Sequence, residues 1–225
     1  MRSENRSVGQ EEPLSFIEVA RRRQIVECAI ETIAKLGYAQ SSLAQIAKRA
    51  GISKGVILYH FANKDELIEQ VVTDIYIAGV YFMLPKIEVQ STTSDKLRAY
   101  IQTNVDFISN HRIQVVALVN IMTSVRNEQG KLRYDVTAEE PILSALEELL
   151  RIGQQEGEFR KFDTRVMAVL IRRAIDALPG LLSANRDLDL EPYKREMVTL
   201  FDLATRKNDI HGEPQAQVIV KESSN

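Results

Sequence analysis

Apolar residues recur at spacings of three and four along almost the whole chain, and no segment sustains the apolar-polar alternation of a strand. Such spacing is typical of helices that each bury one face. The sequence therefore predicts an all-α fold of about nine helices. The predicted helices span residues 16–36, 43–50, 54–61, 64–83, 94–110, 112–126, 138–156, 163–185 and 190–206.

Residues that begin and end helices stand at the borders of these segments. Gly37 and Gly51 follow the first two helices, where a glycine commonly takes the left-handed conformation that ends a helix. Ser42, Ser53 and Asn63 precede the next three, and side chains of these types accept hydrogen bonds from free N–H groups of the first turn. Further caps are predicted at Thr137, Asp163 and Asp189, and Pro85 is predicted to end the fourth helix.

The residue types that enzymes and metal sites need are scarce and scattered. The chain has one cysteine, so no internal disulfide forms, and its three histidines show no metal-ligand spacing. It contains neither a glycine-rich phosphate loop nor a nucleophile-elbow motif. These observations predict a protein that is not an enzyme and needs no metal and no cofactor.

The two ends of the chain differ in character from its middle. Residues 1–15 and 208–225 are polar and mixed in charge, which predicts a disordered arm and a flexible tail around folded domains at 16–64 and 65–207. The first residues lack the apolar stretch of a secretory signal. The longest apolar run is the six residues 166–171, too short to cross a membrane. A soluble, cytoplasmic protein without membrane contact is expected.

Residues 42–61 are predicted to form a helix, a tight turn and a second helix, the geometry in which the second helix enters the major groove of DNA. The surrounding segment 16–67 carries eight basic and five acidic residues, a net charge of +3, whereas the whole chain carries −2. A basic unit on an acidic body suits local contact with DNA. If Ile57 and Phe61 pack inward, the opposite side of the second helix faces outward.

That outward side is the predicted DNA-contacting surface. Lys54 and Gly55 lie at the helix N-terminus, where free N–H groups attract phosphate, and Lys54 is the candidate for reading a guanine. Tyr59 and His60 are expected to hydrogen-bond phosphate oxygens, and Val56 to contact a thymine methyl group. The predicted contacts at helix starts are Ser41, Ser42, Ser53 and Lys64. On periodicity alone, an ordinary helix pair of a bundle explains the same segment.

Three stretches carry a closer resemblance: GYAQSSLAQIA at 37–47, AGISKG at 50–55 and YHFANKDEL at 59–67. Together they resemble the DNA-binding signature of the tetracycline-repressor (TetR) family, over about residues 20–70. The resemblance implies a homodimer that binds a palindromic double-stranded DNA operator, usually as a repressor, and leaves it when a small molecule binds. The family's contacting positions fall on Ser41, Ser42, Lys54, Gly55, Tyr59, His60 and Lys64. Many members have tyrosine where this chain has Leu58, so no operator sequence can be carried over.

The resemblance also implies a C-terminal helical domain for ligand binding and dimerisation, in which the last large helices form a four-helix interface. Those helices are predicted to be 138–156 and 163–185, and the second is apolar around much of its surface. A helix of that kind is buried on more than one side. The predicted interface residues are Leu146, Leu149, Leu150, Val169, Leu170, Ala174 and Leu178. A central helix of a monomeric core is the alternative.

An effector site is predicted among the helices between 64 and 126, which supply apolar, aromatic and a few polar side chains. Its candidate residues are Tyr76, Phe82, Met83, Tyr100, Asn104, Phe107, Met122 and Asp176. Ordinary core packing explains many of the same residues. Asp176 is expected to pair with Arg172 four residues earlier, or else to supply a counter-charge for a cationic ligand. The alternative function is a ligand-independent DNA-binding or protein-interaction module.

Overall fold

The computed structural model describes residues 15–134, 139–185 and 187–207. In these ranges the chain forms ten helices, and the only strand-like pairings there are two isolated antiparallel bridges, so the predicted all-α fold is confirmed. The helices are α1 (Phe16–Leu36), α2 (Leu43–Ala50), α3 (Lys54–His60), α4 (Lys64–Glu88), α5 (Thr93–Asn110), α6 (Arg112–Ser124), α7 (Glu140–Gln155), α8 (Thr164–Asp176), α9 (Leu178–Ala184) and α10 (Glu191–Thr205).

Two prolines explain where the predicted helix borders were wrong. The segment 163–185 was expected as one helix, but it divides into α8 and α9 because Pro179 has no N–H to offer the carbonyl of Ile175. Pro85 was expected to end α4, yet it lies inside that helix, which continues to Glu88. An exposed last turn tolerates the loss of one backbone hydrogen bond, so the helix runs on for less than one turn beyond the proline.

The predicted caps are formed at most helix starts. The side chains of Ser42, Ser53, Asn63 and Asp163 each accept a hydrogen bond from the N–H group three residues later. Ser15, placed by the sequence in the disordered arm, instead forms a complete capping box with Glu18 at the start of α1. The cap of α10 is Leu190 rather than Asp189, whose carboxylate still accepts a bond from the Glu191 N–H. Thr137 lies outside the described residues.

Helix α5 occupies the centre of the body and packs against α4, α6, α7, α8, α9 and α10. Helix α1 connects this body to the N-terminal unit, since one side of it packs on α2 and α3 and another on α6. The buried core is therefore continuous from Ile57 and Phe61 in the N-terminal unit to Ile171 and Phe201 in the last helices. The boundary at 64/65 between two folded domains stays a prediction.

Helix α4 is the one helix of the described ranges that is long and apolar enough to match a membrane span. Core helices meet the same test of length and composition. Along its first two-thirds, α4 buries one face, including Leu67, Val71 and Ile75, and it packs against α1, α5 and α6. These contacts assign it to the core of the fold.

Gly153 is closely packed against the ring of Phe159. A Cβ atom added at this position would lie 2.2 Å from the ring of Phe159, which folds back onto the end of α7. We expect Gly153→Ala to lower the free energy of unfolding by roughly 1–3 kcal/mol, because the buried ring must move. Gly180→Ala in α9 is the matched control, since an added Cβ there meets nothing within 4 Å. Equal urea midpoints for the two variants would contradict this assignment.

Candidate nucleic-acid interface and effector site

Helices α2 and α3 are held at a fixed angle by a short turn. Gly51 takes the left-handed conformation with φ of 65°, and the N–H of Ile52 donates to the carbonyl of Ala47, which closes the end of α2. From α3, the side chains of Ile57 and the following Phe61 are buried against the N-terminal core. The inward residues thereby fix which side of α3 faces outward, as the sequence predicted.

The outward side of α3 presents the predicted contact residues to solvent. Lys54 and Gly55 are exposed at its N-terminus, and Tyr59 is 75% exposed near its C-terminus. Val56 and His60 are partly exposed between and beside them. The capping hydroxyls of Ser42 and Ser53 are exposed too, so the starts of α2 and α3 border the same surface.

Tyr59 and His60 form the aromatic part of this surface. Their rings meet edge to face with centroids 5.0 Å apart, and the Tyr59 hydroxyl donates to a Glu18 carboxylate oxygen at 3.2 Å. Burial and the nearby Arg22 guanidinium lower the pKa of His60 below its usual value. The neutral imidazole is therefore favoured in the free protein, and it can hydrogen-bond a phosphate oxygen.

Two predicted contacts have other partners in the structure. Ser41 is fully buried, its hydroxyl donates to the Gly37 carbonyl at 2.7 Å and its N–H donates to the Tyr38 carbonyl, so its prediction as a DNA contact was wrong. Lys64 is partly buried, and its ammonium donates to the Tyr38 carbonyl and lies 3.9 Å from the centre of the Tyr38 ring. Burial lowers the pKa of Lys64, and its role as a phosphate contact stays a prediction.

Arg22 on α1 supports this surface from within the fold, and the sequence did not indicate that role. Its guanidinium donates to the His60 carbonyl, lies 4.1 Å from the centre of the Phe61 ring and pairs with Glu66 at 3.7 Å. It therefore fixes the C-terminal end of α3 against α1 and α4. No local sequence pattern indicates this role of Arg22, because its partners lie about forty residues away in the chain.

In the body, several predicted effector residues meet around one ion pair. Arg172 and Asp176 on α8 form the predicted pair, with the closest oxygen at 2.5 Å, and the Arg172 side chain also donates to the Asn104 amide oxygen at 3.4 Å. The neighbouring Tyr100 hydroxyl is buried and has no hydrogen-bond partner among the described residues. Burial raises the pKa of Tyr76 and of Asp176, which marks this polar cluster as poorly solvated.

Aromatic side chains extend this region between α4, α5 and α6. The rings of Phe82 and Phe107 have centroids 5.7 Å apart, and Phe107 stacks on His111 at 4.2 Å. Gly79 lies beside Met83 and Phe107 in this region. Met122 packs on the core from α6, and its membership of an effector site stays a prediction, as does that of the other candidates.

The structure places three residues of the predicted dimer interface inside the chain's own core, and the rest of that interface stays a prediction. Leu146, Leu150 and Leu178 are buried inside their own chain, because α7 turns its apolar side towards α5 and α8. The outer side of α7 is polar instead, with Ser144, Glu148, Arg151 and Gln155 exposed. Leu149, Val169 and Ala174 are partly buried, and Leu170 alone of the predicted set is exposed.

A different set of large apolar residues is exposed on the last three helices. Their spacing of three, four or seven residues places those of α8 and those of α10 each along one side of its helix. We call them the apolar face, and its members are Val166, Leu170, Leu181, Tyr193, Leu200 and Leu203. Leu200 is 59% exposed and Leu170 is 54% exposed, more than a leucine in an isolated domain usually retains.

Comparison with known protein families finds a match over residues 25–71, which includes the whole helix-turn-helix. The matching family model is described as bacterial regulatory proteins of the tetR family. The match covers the residues that the sequence resemblance had indicated, and it agrees with the arrangement of α1, α2 and α3.

Two curated relatives extend the similarity into the body. The fatty acid metabolism regulator protein of Bacillus subtilis (strain 168) is 27% identical over 155 residues, which is 68% of this chain and 78% of the relative. The HTH-type transcriptional regulator BetI of Cronobacter sakazakii is 26% identical over 186 residues, 82% of this chain and 88% of the relative. Both relatives are regulators, and neither is named as an enzyme.

A solved structure agrees with the whole fold. The transcriptional regulator FadR from Bacillus subtilis in complex with stearoyl-CoA superposes with a TM-score of 0.67 at 25% identity. The superposition covers 79% of this chain and 96% of the FadR chain. The similarity therefore extends to the C-terminal helices as well as to the helix-turn-helix.

Proposed function

The chain belongs to the TetR family of bacterial regulatory proteins and is a DNA-binding transcriptional regulator, and on that premise we propose that it is a homodimeric repressor. A small-molecule effector releases it from a palindromic operator, in the cytoplasm. The observation that carries this proposal is the exposed outer side of α3, with Lys54, Gly55 and Tyr59 facing solvent above a buried Ile57. A stiff helix of this kind fits the major groove of DNA.

The contacts of each subunit divide into two kinds. Tyr59, His60 and the capping hydroxyls of Ser42 and Ser53 suit phosphate oxygens and set the position of α3 along the duplex. Lys54 and Val56 lie where a helix N-terminus meets base edges, so they suit a guanine and a thymine methyl group. Lys54 is an exposed lysine on this side of α3.

The apolar face supports the homodimer. Six large apolar side chains remain exposed on α8, α9 and α10, and apolar surface of this kind marks protein–protein contacts where it is contiguous. In a two-fold dimer the same residues of both subunits meet, so a face made mainly of leucine and valine is complementary to itself. Two copies of α3 are then presented together, as a palindromic operator requires.

The effector is proposed to be a coenzyme A thioester of a fatty acid. The Bacillus subtilis FadR structure contains stearoyl-CoA, and that protein resembles this chain over most of its length. The aromatic rings of Phe82 and Phe107 suit an acyl chain.

Operator release tests the proposal directly. A binding site is first selected from random duplex DNA, and its affinity is measured by fluorescence anisotropy with and without stearoyl-CoA. We expect stearoyl-CoA to weaken operator binding by roughly 5- to 150-fold, the usual range of coupling between two sites. Stearate and free coenzyme A serve as controls for the two halves of the molecule. Strong operator binding that no acyl-CoA changes would favour the ligand-independent module, and absence of any selected site would contradict the repressor itself.

A further inference from the structure

A cleft of about 590 Å³ opens between the helix-turn-helix unit and the body. One wall comes from α1 and α2, and the other comes from α6 and α9. Its lining residues are Glu31, Ala34, Lys35, Arg49, Arg112, Ile113, Val116 and Leu182. The volume lies in the range of small-molecule sites, about 300–1,000 Å³. The polar cluster around Arg172 shares none of these lining residues, so the cleft is a separate feature.

The charges of the cleft favour an anion. The cationic side chains that line it are Lys35, Arg49 and Arg112, and its carboxylate is that of Glu31. Arg49 is paired with Glu31 at 2.6 Å, so that carboxylate is already neutralised. Lys35 makes no ion pair within the part of the chain that the structure describes, and its side chain is exposed at the rim.

The floor of the cleft is apolar. Ala34, Ile113, Val116 and Leu182 supply aliphatic surface beside the cationic rim, and Ile113 remains 54% exposed. A simple ion would leave this surface in water. A molecule that joins anionic groups to an apolar or weakly polar arm would cover both parts.

We propose that this cleft binds the phosphate-bearing part of an amphipathic effector, the coenzyme A moiety of a thioester. The inference rests on the proposed function for the identity of the effector. Arginine and lysine are the side chains that bind phosphate groups best, the first through its planar fork and the second as a point charge. The pantetheine arm of coenzyme A would lie along Ile113 and Val116.

The position of the cleft connects its occupancy to DNA binding. Residues on both the helix-turn-helix unit and the body contact a ligand that lies there, so its affinity depends on how the two units are placed. Any such dependence is reciprocal, because a ligand that favours one placement shifts the protein towards it. The cleft thus gives the effector a direct contact with the unit that holds α3.

The test titrates coenzyme A, without an acyl chain, into the full-length protein by isothermal titration calorimetry. We expect wild-type protein to bind it and Lys35→Glu to weaken binding at least about tenfold, because a charge-assisted contact becomes a repulsion. The matched control is Lys161→Glu, the same change at an exposed lysine between α7 and α8, with an expected effect below about twofold. Ile113→Ser tests the apolar floor and should also weaken binding.

The inference would be overturned if coenzyme A did not bind the wild-type protein, or if the two lysine variants bound it with equal affinity. It would also be overturned if inorganic phosphate bound as tightly as coenzyme A. The remaining contrary result would be that Lys35→Glu weakens operator binding in the absence of ligand. The last would mean that Lys35 contacts DNA. Circular dichroism melts verify that each variant is folded. If coenzyme A binds as described while acyl-CoA leaves operator affinity unchanged, the cleft stands and the proposed release mechanism fails.

Discussion

Replacing Tyr59 or Lys54 with alanine is expected to weaken operator binding by roughly 10- to 100-fold while the protein stays folded, since the proposed dimer loses two phosphate or base contacts. Both side chains are exposed, and Lys54 makes no ion pair among the described residues, so neither substitution disturbs the core. The measurement is anisotropy on the selected operator, with thermal melts to show that folding is unchanged.

The two variants should differ in their response to salt. Each lysine that neutralises a phosphate adds about 0.9 to the slope of log affinity against log salt concentration, so Lys54→Ala should lower that slope by about two per dimer if Lys54 contacts phosphate. Tyr59→Ala removes a neutral group and should leave the slope unchanged. A lowered affinity with an unchanged slope for Lys54→Ala would instead indicate that Lys54 reads a base.

Matched controls separate contact from general effects. Lys161→Ala removes an exposed lysine between α7 and α8 and should bind the operator as wild type does. Tyr59→Phe keeps the ring but removes the hydroxyl, which donates a hydrogen bond to Glu18 in the free protein. This variant therefore measures the contribution of the hydroxyl to DNA binding separately from that of the ring. If both Tyr59→Ala and Lys54→Ala bound the operator with wild-type affinity, the outer side of α3 would not be the DNA-contacting surface.

The N-terminal unit was predictable because its signals are local. Gly37, Gly51 and the capping serines lie within a few residues of the helix ends that they determine, and α1 and α2 begin and end where expected. The side chain of Ser41 was misplaced for a related reason. Its sequence position suits a helix start, but its hydroxyl turns back to Gly37, and only the folded turn shows this.

The body was harder to predict because periodicity identifies an apolar side without identifying its neighbour. The leucines of α7 have the spacing of an interface, yet they face α5 and α8 of the same chain. Conversely, Leu200 and Leu203 of α10 lie on the exposed side of a helix that also buries Met197 and Phe201. Whether an apolar side of a helix is buried within the chain or left exposed depends on long-range packing. The position of Arg22 beneath α3 also depends on it.

Charged residues on the apolar face should separate the proposed dimer into monomers. Leu170→Glu combined with Leu200→Glu removes four leucines per dimer, each of which is 54% or 59% exposed in the single chain. Burying that exposed half contributes about 0.8–1.5 kcal/mol per leucine, roughly 3–6 kcal/mol in total. A nanomolar dimer is stabilised by about 12 kcal/mol, so this loss moves dissociation towards the micromolar range, and the four added carboxylates oppose association further. Sedimentation equilibrium measures the change, and wild-type mass at micromolar concentration would contradict the interface.

Two control variants test where the interface lies, and operator affinity shows the effect of losing the dimer. Leu84→Glu changes an equally apolar leucine, 44% exposed on α4, and Ala145→Glu changes the outer side of α7, and both proteins should remain dimers. If Ala145→Glu separated the subunits instead, the interface predicted from the sequence would be restored. Because a dimer binds its second half-site as an intramolecular step, the monomeric double variant should lose about 10²- to 10⁴-fold in affinity for the palindrome. Its affinity for an isolated half-site should match that of a wild-type subunit, since α3 and its support from Arg22 are unaltered.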